Sequence, residues 1–113
     1  MLIGTCHCGR VAFEVKTAPT KAYRCNCSYC SRRGWHHAYA EPADFRLLRG
    51  ESELASYRFG AGTTENYFCR HCGIHTHFYT TYGDQPKYAY SLACCEGFDL
   101  ARVEVELIDG RSF

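Results

Sequence analysis

Seven of the chain's nine cysteines fall into three short clusters, and this pattern constrains the protein more than any other feature of its sequence. The clusters are Cys6 with Cys8, Cys25 with Cys27 and Cys30, and Cys69 with Cys72. A structural zinc ion takes four protein ligands, whereas a catalytic zinc ion takes three and keeps one position open. Seven clustered thiols therefore predict two zinc ions, one of each kind. Zinc is the expected metal, although tetrahedral thiolate sites also accept iron.

Size and charge narrow the class of protein. At 113 residues the chain is long enough for one domain with a modest core, so we predict a single zinc-binding domain over residues 1–113. Its net charge of +1 argues against a nucleic-acid partner, because such domains usually carry a strongly basic surface.

No apolar stretch approaches the roughly 20 residues that span a bilayer, which argues against a membrane protein. The first nine residues lack the charged and then apolar order of a signal peptide, and we expect a cytoplasmic protein. Disulfides are rare in that compartment, so clustered thiols there are more often metal ligands or redox groups.

The segments between the clusters are typical of a mainly β protein. Alternating apolar and polar residues, or runs rich in Tyr, Phe and Val, predict strands at residues 10–16, 56–59, 65–68, 75–79, 87–92 and 102–108. Only residues 31–35 and 42–48 are predicted to form helical turns. We expect Phe13, Phe59 and Phe78 in the core.

The residue after each cysteine pair distinguishes the clusters. Gly9 follows Cys8 and Gly73 follows Cys72, and a glycine there allows a positive φ that turns backbone amides toward the thiolates. Two such turns make one complete site, which predicts a structural zinc bound by Cys6, Cys8, Cys69 and Cys72. The middle cluster runs into Ser31 and has no fourth cysteine beside it, so Cys25, Cys27 and Cys30 are expected to hold a catalytic zinc with an open position.

Two other arrangements fit the cysteine spacing. Cys27 and Cys30 have the same two-residue gap as Cys69 and Cys72, and these four residues form the pattern of a zinc ribbon. Alternatively, the protein binds a single structural metal ion and the remaining thiols are free.

Three motifs together resemble the GFA family, which is named for glutathione-dependent formaldehyde-activating enzyme and includes centromere protein V. They are GTCHCG at residues 4–9, CNCSYC at residues 25–30 and FCRHCG at residues 68–73. The resemblance extends from Gly4 to about Leu100, and three clusters at these spacings are a specific signal.

The resemblance implies a small Mss4-like (β-tent) fold with the structural and catalytic zinc sites assigned above. It also implies a carbon-sulfur lyase that acts on a thiol-aldehyde adduct, of the S-hydroxymethylglutathione type or a related small thiol adduct. A small-molecule thiol, possibly glutathione, is then the expected partner. Because folds and metal sites are shared more widely than activities, the alternative is a non-catalytic zinc module with a structural or interaction role.

The ligand set favours thiol chemistry. Three thiolates on a zinc ion leave one unit of negative charge, and they acidify bound water less than three histidines do. An incoming thiol that binds such a zinc ion loses its proton and stays nucleophilic, so it can add to a carbonyl carbon or leave from one. Loss of Cys25, Cys27 or Cys30 should abolish this reaction.

Other residues near the clusters have two interpretations each. Arg24, Arg32 and Arg33 either bind the carboxylates of an acidic thiol or are solvated surface charges. Cys94 and Cys95 either reach the open zinc, as ligand or redox partner, or are small buried residues.

Histidines and aromatic residues are similarly ambiguous. Each of His36, His37, His75 and His77 is either a fourth ligand or acid/base group, or a residue with a local hydrogen-bond partner, while His7 and His71 are expected to be spacers. Tyr29, Trp35, Tyr39, Tyr67 and Phe68 either line a substrate pocket or belong to the core.

Overall fold

The computed structural model describes residues 1–112, with Tyr82 described by its backbone alone; Phe113, the last residue of the predicted domain, lies outside the described residues. The described chain contains ten strands and one α-helix, α1 (Ser28–Arg33). The strands are β1 (Leu2–Thr5), β2 (Ala12–Val15), β3 (Lys21–Cys25), β4 (His37–Ala40), β5 (Phe45–Arg49), β6 (Leu54–Tyr57), β7 (Thr64–Cys69), β8 (His75–Thr80), β9 (Lys87–Ser91) and β10 (Glu104–Ile108).

The strands form two sheets. Strands β1, β2 and β5 make a three-stranded antiparallel sheet in that order. The other seven form a sheet in the order β10-β3-β4-β9-β8-β7-β6, in which β10 and β3 are the one parallel pair among the described strands. The prediction of a mainly β protein is therefore confirmed.

The main core lies where the two sheets face each other. The ring of Phe13 on β2 stacks on Phe45 of β5 at a centroid distance of 5.3 Å, and it lies 5.8 Å from Tyr90 of β9. Burying each such side chain contributes about 1.5–3 kcal/mol. Gly4 on β1 lies directly against the Phe13 ring, and any side chain at this position would collide with it. The two sheets are thus joined by aromatic packing.

Six observed strands overlap the six predicted ones, and β6 begins and ends two residues before its prediction. The prediction of a helical turn over residues 42–48 is wrong beyond Asp44. A short 3₁₀ turn (Pro42–Asp44) is followed by β5, because Phe45 and Leu47 alternate toward the core and pair with β2. The predicted helical turn at residues 31–35 lies three residues too late, since α1 begins at Ser28.

Two of the three residues predicted for the core are buried, Phe13 and Phe78. The prediction for Phe59 is wrong, because its side chain is 40% exposed in the loop between β6 and β7. Its ring contacts Tyr29 and Tyr57 there, with centroid distances of 5.2 Å and 5.9 Å. No helix within residues 1–112 is long and apolar enough to cross a membrane.

Candidate metal centres and the adjoining cavity

Four cysteines from two distant parts of the chain meet in one place. The Sγ atoms of Cys6, Cys8, Cys69 and Cys72, here called the tetrad, all lie within 4.8 Å of one another. The Sγ of Cys8 lies 3.7 Å from that of Cys6 and 3.6 Å from that of Cys69. Four converging sulfur atoms can hold a tetrahedral metal ion such as zinc.

The two halves of the tetrad have the same backbone design. The Cys6 amide donates to the carbonyl of Val11 at 3.1 Å, and the Cys69 amide donates to the carbonyl of Ile74 at 3.0 Å. Each turn is completed by a glycine in the left-handed region, Gly9 with φ +82° and Gly73 with φ +79°. Glycine adopts this conformation without a steric penalty, so the expected positive φ at both positions is confirmed.

Backbone amides prepare tetrad thiols for metal binding. Burial opposes ionisation of Cys72, but backbone N–H groups of Cys8 and Ile74 outweigh it and lower the pKa of Cys72 to about 6. Hydrogen bonds from the backbone and side chain of Arg10 lower the pKa of Cys8. Burial raises the pKa of Cys69.

The other three clustered cysteines form a second group around the start of α1. The Sγ atoms of Cys25, Cys27 and Cys30, here called the triad, also lie within 4.8 Å of one another. Cys25 ends β3, and Cys27 caps the helix because its Sγ accepts the backbone N–H of Cys30 at 3.3 Å. The thiols are thus grouped as four and three, and not as the ribbon of Cys27 and Cys30 with Cys69 and Cys72.

A half-buried arginine lies next to the triad. Burial raises the pKa of Cys30 to about 12, while the nearby positive charge of Arg33 lowers it. The Nη2 of Arg33 donates to the Cys30 Sγ at 3.1 Å. Burial lowers the pKa of Arg33 in turn, and the neighbouring Cys30, Tyr29 and Cys27 side chains partly oppose this.

The triad opens into a cavity of about 460 Å³. Its walls include the rings of Tyr29, Tyr39 and Phe78 and the cationic side chains of Arg33 and Lys87. None of the described residues that line it is an aspartate or glutamate. A cavity of this size with apolar walls and a few polar groups suits a small organic ligand, and its charge favours an anionic one.

The residues after β10 complete the triad side of the cavity. The backbone amide of Asn26 donates to the carbonyl of Ile108, and the Asn26 side chain donates to Asp109 Oδ1 at 3.0 Å. Asn26 Oδ1 in turn accepts the amide of Arg111 at 2.9 Å. These bonds bring Gly110 so close that an added Cβ would lie 2.5 Å from the Cys25 Sγ.

Sequence reasoning missed this role of the segment. The available signal was Gly110, a glycine just beyond a predicted strand, but nothing local indicated that β10 pairs with β3 next to the triad. The register, in which Ile108 pairs with Cys25, is what places Gly110 there.

Only one of the three arginines considered as carboxylate ligands faces the cavity. Arg24 and Arg32 are exposed, and Arg32 donates to the carbonyl of Ser28 at 2.8 Å. Arg33 lines the cavity and its guanidinium carbon lies 3.7 Å from the centroid of Trp35. Sequence alone does not distinguish the two neighbouring arginines, because α1 turns one outward and the other inward.

The four candidate histidines differ in their surroundings. His37 is buried in the cavity wall, and neither ring nitrogen has a partner within the described part of the chain; burial together with Arg33 lowers its pKa to about 4. His75 hydrogen-bonds to the Tyr29 hydroxyl through Nδ1 at 3.1 Å, and His77 to Thr76 at 2.8 Å. His36 is half-buried.

Cys94 and Cys95 are buried and belong to neither of the two cysteine groups found among the described residues. Burial raises the pKa of both thiols, that of Cys95 to about 12. All nine cysteines lie within the described chain and none forms a disulfide. The interpretation of these two as small buried residues fits the structure.

The aromatic candidates divide between wall and interior. Tyr29 and Tyr39 line the cavity, whereas Trp35 is buried against Phe78 and Ala89 and supports Arg33 from behind. Tyr67 and Phe68 lie on β7 and do not line this cavity in the structure as described. Tyr67 contributes instead to a groove with His77 and Tyr88.

The fold and the two groups of thiols define a class of small, mostly β proteins that can hold metal ions. The family model of the glutathione-dependent formaldehyde-activating enzyme matches residues 1–102, and the chain belongs to this GFA family. The Mss4-like fold implied by the sequence motifs is thereby confirmed. The match ends before β10, so the segment that closes the triad lies outside the matched residues.

A solved structure agrees with this assignment. The crystal structure of a Rhodobacter sphaeroides protein is similar to this chain, with 38% sequence identity and a TM-score of 0.80. The similarity covers 92% of this chain and 99% of the other.

Proposed function

We propose that the protein is a zinc-dependent carbon-sulfur lyase that acts on a thiol-aldehyde adduct, of the S-hydroxymethylglutathione type or a related small thiol adduct. The tetrad holds a structural zinc ion in this proposal, and Cys25, Cys27 and Cys30 hold a catalytic one. The observation that carries it is the triad itself, three converging thiols at the wall of a cavity of about 460 Å³. Membership in a family named for a glutathione-dependent enzyme supports the substrate class.

Soft sulfur donors in groups of four and three fit zinc, and a bound zinc ion would supply Lewis acidity toward a thiol sulfur. The chain's own residues bind and shield the adduct. Tyr29, Tyr39 and Phe78 provide apolar walls that exclude water, while Arg33 and Lys87 favour a negative charge beside them. In the reaction, the C–S bond breaks with its electron pair moving to sulfur, and the adduct hydroxyl becomes the carbonyl of the aldehyde. The hydroxyl proton passes to the departing thiolate or to solvent, so the products are the aldehyde and the thiol.

The alternative is a non-catalytic zinc module, which would have a fourth protein ligand at the triad. None of the described Cys, His, Asp or Glu side chains joins the triad as a fourth ligand. The lack of a fourth protein ligand among these residues, together with the cavity beside the triad, favours the enzyme.

We also propose a cytoplasmic location and no nucleic-acid or membrane partner. The grounds are the net charge of +1, the lack of an apolar stretch long enough to span a bilayer and the lack of a signal-peptide pattern in the first nine residues.

Elemental analysis of anaerobically purified protein tests the metal assignment. We expect two zinc ions per chain in the wild type and one in Cys27→Ala. The wild type should then cleave a thiol-aldehyde adduct, followed as release of free thiol or aldehyde, and Cys27→Ala should not. One zinc ion in both proteins, or equal turnover by both, would contradict the proposed function.

A further inference from the structure

Arg33 is held more firmly than a surface arginine. Its Nη1 donates to Asn66 Oδ1 at 3.1 Å, and Asn66 is itself buried and fixed by donating to the carbonyl of Tyr57. The guanidinium carbon lies 3.7 Å from the Trp35 ring centroid and 4.7 Å from that of Tyr29. Such stacking and the rigid planar fork of arginine fix its direction before any ligand binds.

That direction is toward the triad. The other arm of the fork, Nη2, donates to the Cys30 Sγ at 3.1 Å. A single guanidinium thus joins a buried amide on β7 to a thiol of the triad. Lysine has no planar fork with which to make both contacts in this way.

The charge of Arg33 changes what the triad can accept. Three thiolates around a divalent cation carry one net negative charge, which repels a further anion. The guanidinium cancels this charge at hydrogen-bond distance from one sulfur, and no described residue of the cavity wall adds a carboxylate. The assembly of triad, divalent cation and Arg33 is then neutral, and an anionic fourth ligand no longer meets net repulsion.

We propose that Arg33 is the residue that makes the triad selective for an anionic thiolate over a neutral ligand in its open position. Arg33 acts as a positioning and specificity residue through Cys30. The inference rests on the proposed function only in taking the triad as an open metal site, and it does not require that the protein cleave an adduct.

The test uses the Co²⁺-loaded full-length protein, since Co²⁺ in a thiolate site has a visible spectrum that changes when a fourth ligand binds. The probes are 2-mercaptoethanol, a thiol without carboxylates, and imidazole, a neutral ligand. Four proteins are compared: the wild type, Arg33→Gln, Arg33→Lys and, as the matched control, Arg32→Gln.

We expect Arg33→Gln to weaken thiol binding about tenfold or more, because the triad and its cation then keep a net negative charge that repels the thiolate, and to change imidazole binding less than about threefold. Arg33→Lys keeps the charge but not the fork and should weaken thiol binding about fivefold. Arg32→Gln should leave the binding of both ligands unchanged. Arg32 is exposed, and among the described contacts it hydrogen-bonds only within its own helix.

Three results would overturn the inference. One is equal weakening of thiol and imidazole in Arg33→Gln, which would mean that Arg33 merely supports the cavity. Another is wild-type thiol binding in both Arg33 variants, or in Arg33→Lys alone if Arg33→Gln does not fold. The third is a wild-type protein whose Co²⁺ spectrum does not respond to thiol. If the wild type binds thiol selectively and Arg33→Gln does not, but no adduct is cleaved, the proposed lyase activity would be refuted and the role of Arg33 would stand.

Discussion

The tetrad and the triad use the same sulfur ligands, yet they join different parts of the molecule. Cys6 and Cys8 follow β1 of the three-stranded sheet, whereas Cys69 ends β7 of the seven-stranded sheet. A metal ion in the tetrad therefore cross-links the two sheets. The triad lies entirely on the larger sheet and its attached helix, and it faces a cavity. The two groups thus differ in their place in the fold rather than in ligand type, and this difference is what leads us to propose a structural role for the tetrad and a catalytic one for the triad.

The two groups also differ in what stabilises their charge. Both groups receive backbone N–H groups, which lower the pKa of Cys72 in the tetrad and of Cys27 in the triad. Each also has an arginine, but Arg10 is exposed beside Cys8, whereas Arg33 is half-buried and donates to Cys30. Substitution of Arg33 should therefore change the charge next to the triad more than substitution of Arg10 changes the charge next to the tetrad, because solvent screens an exposed side chain.

The largest expected difference between the sites concerns stability. Cys69→Ala removes a buried ligand that links the sheets, and structural zinc contributes about 10–16 kcal/mol in small domains, so we expect no cooperative unfolding transition. Cys27→Ala loses the helix cap and the metal of the triad, but the tetrad still links the two sheets, so we expect a cooperative unfolding transition at a lower temperature than in the wild type. Thermal unfolding followed by circular dichroism checks both. A cooperative transition in Cys69→Ala close to the wild-type temperature would show that the tetrad is not the structural centre.

A smaller effect is expected from Gly110→Ala, which adds a methyl group 2.5 Å from the Cys25 Sγ. Either the sulfur or the segment after β10 must move, so we expect the triad to bind its metal about tenfold or more weakly while the tetrad is unaffected. Chelator competition with metal analysis measures this. Arg111→Ala is the control, because Arg111 is in the same segment, its side chain is exposed, and its bond to Asn26 is made by the backbone amide. Unchanged affinity in Gly110→Ala would show that this segment moves freely away from the triad.

The smallest expected difference is in acid sensitivity. Metal binding requires deprotonated thiols, so a raised pKa lets protons compete better and a lowered pKa lets them compete less. Burial raises the pKa of Cys30 in the triad to about 12, and it raises that of Cys69 in the tetrad. Backbone N–H groups lower the pKa of Cys72 in the tetrad to about 6, and they lower that of Cys27 in the triad. As pH falls, the triad should release its metal first, because it contains the thiol with the most strongly raised pKa. Metal analysis after dialysis across pH 4–8 decides this, and release from the tetrad first would refute it.

The cysteine grouping was predictable because ligand spacing and the following glycines are local signals. Gly9 and Gly73 mark the turns directly in the sequence. Four strands were not predicted as strands, namely β1, β3, β4 and β5. Residues such as Gly, Ala, Lys and His in β1, β3 and β4 lack strong strand preference, β5 was predicted as a helical turn, and all four form strands here through pairing with neighbours. The strands that the local sequence pattern missed are thus those that depend on pairing with neighbouring strands.

The cavity was harder to predict than the metal ligands. Its walls come from residues far apart in sequence, such as Arg33, Asn66 and Lys87. Phe59 was expected inside because aromatic residues on short strands usually are, but β6 ends before it and the ring packs on Tyr29 at the cavity instead. Sequence patterns do not predict the end of a strand to within about one or two residues, so they do not show whether a ring beside that end is buried or exposed.

The spacing of the ligands along the chain also sets the order in which the two centres can form. The triad spans only residues 25–30, so a chain that has not yet folded already holds its three sulfurs near one another. The tetrad joins residues 6–8 to residues 69–72 and exists only after a long loop has closed and two hairpins have met. We therefore expect the triad to be able to capture a metal ion early in folding, and the tetrad to form only when the two sheets come together.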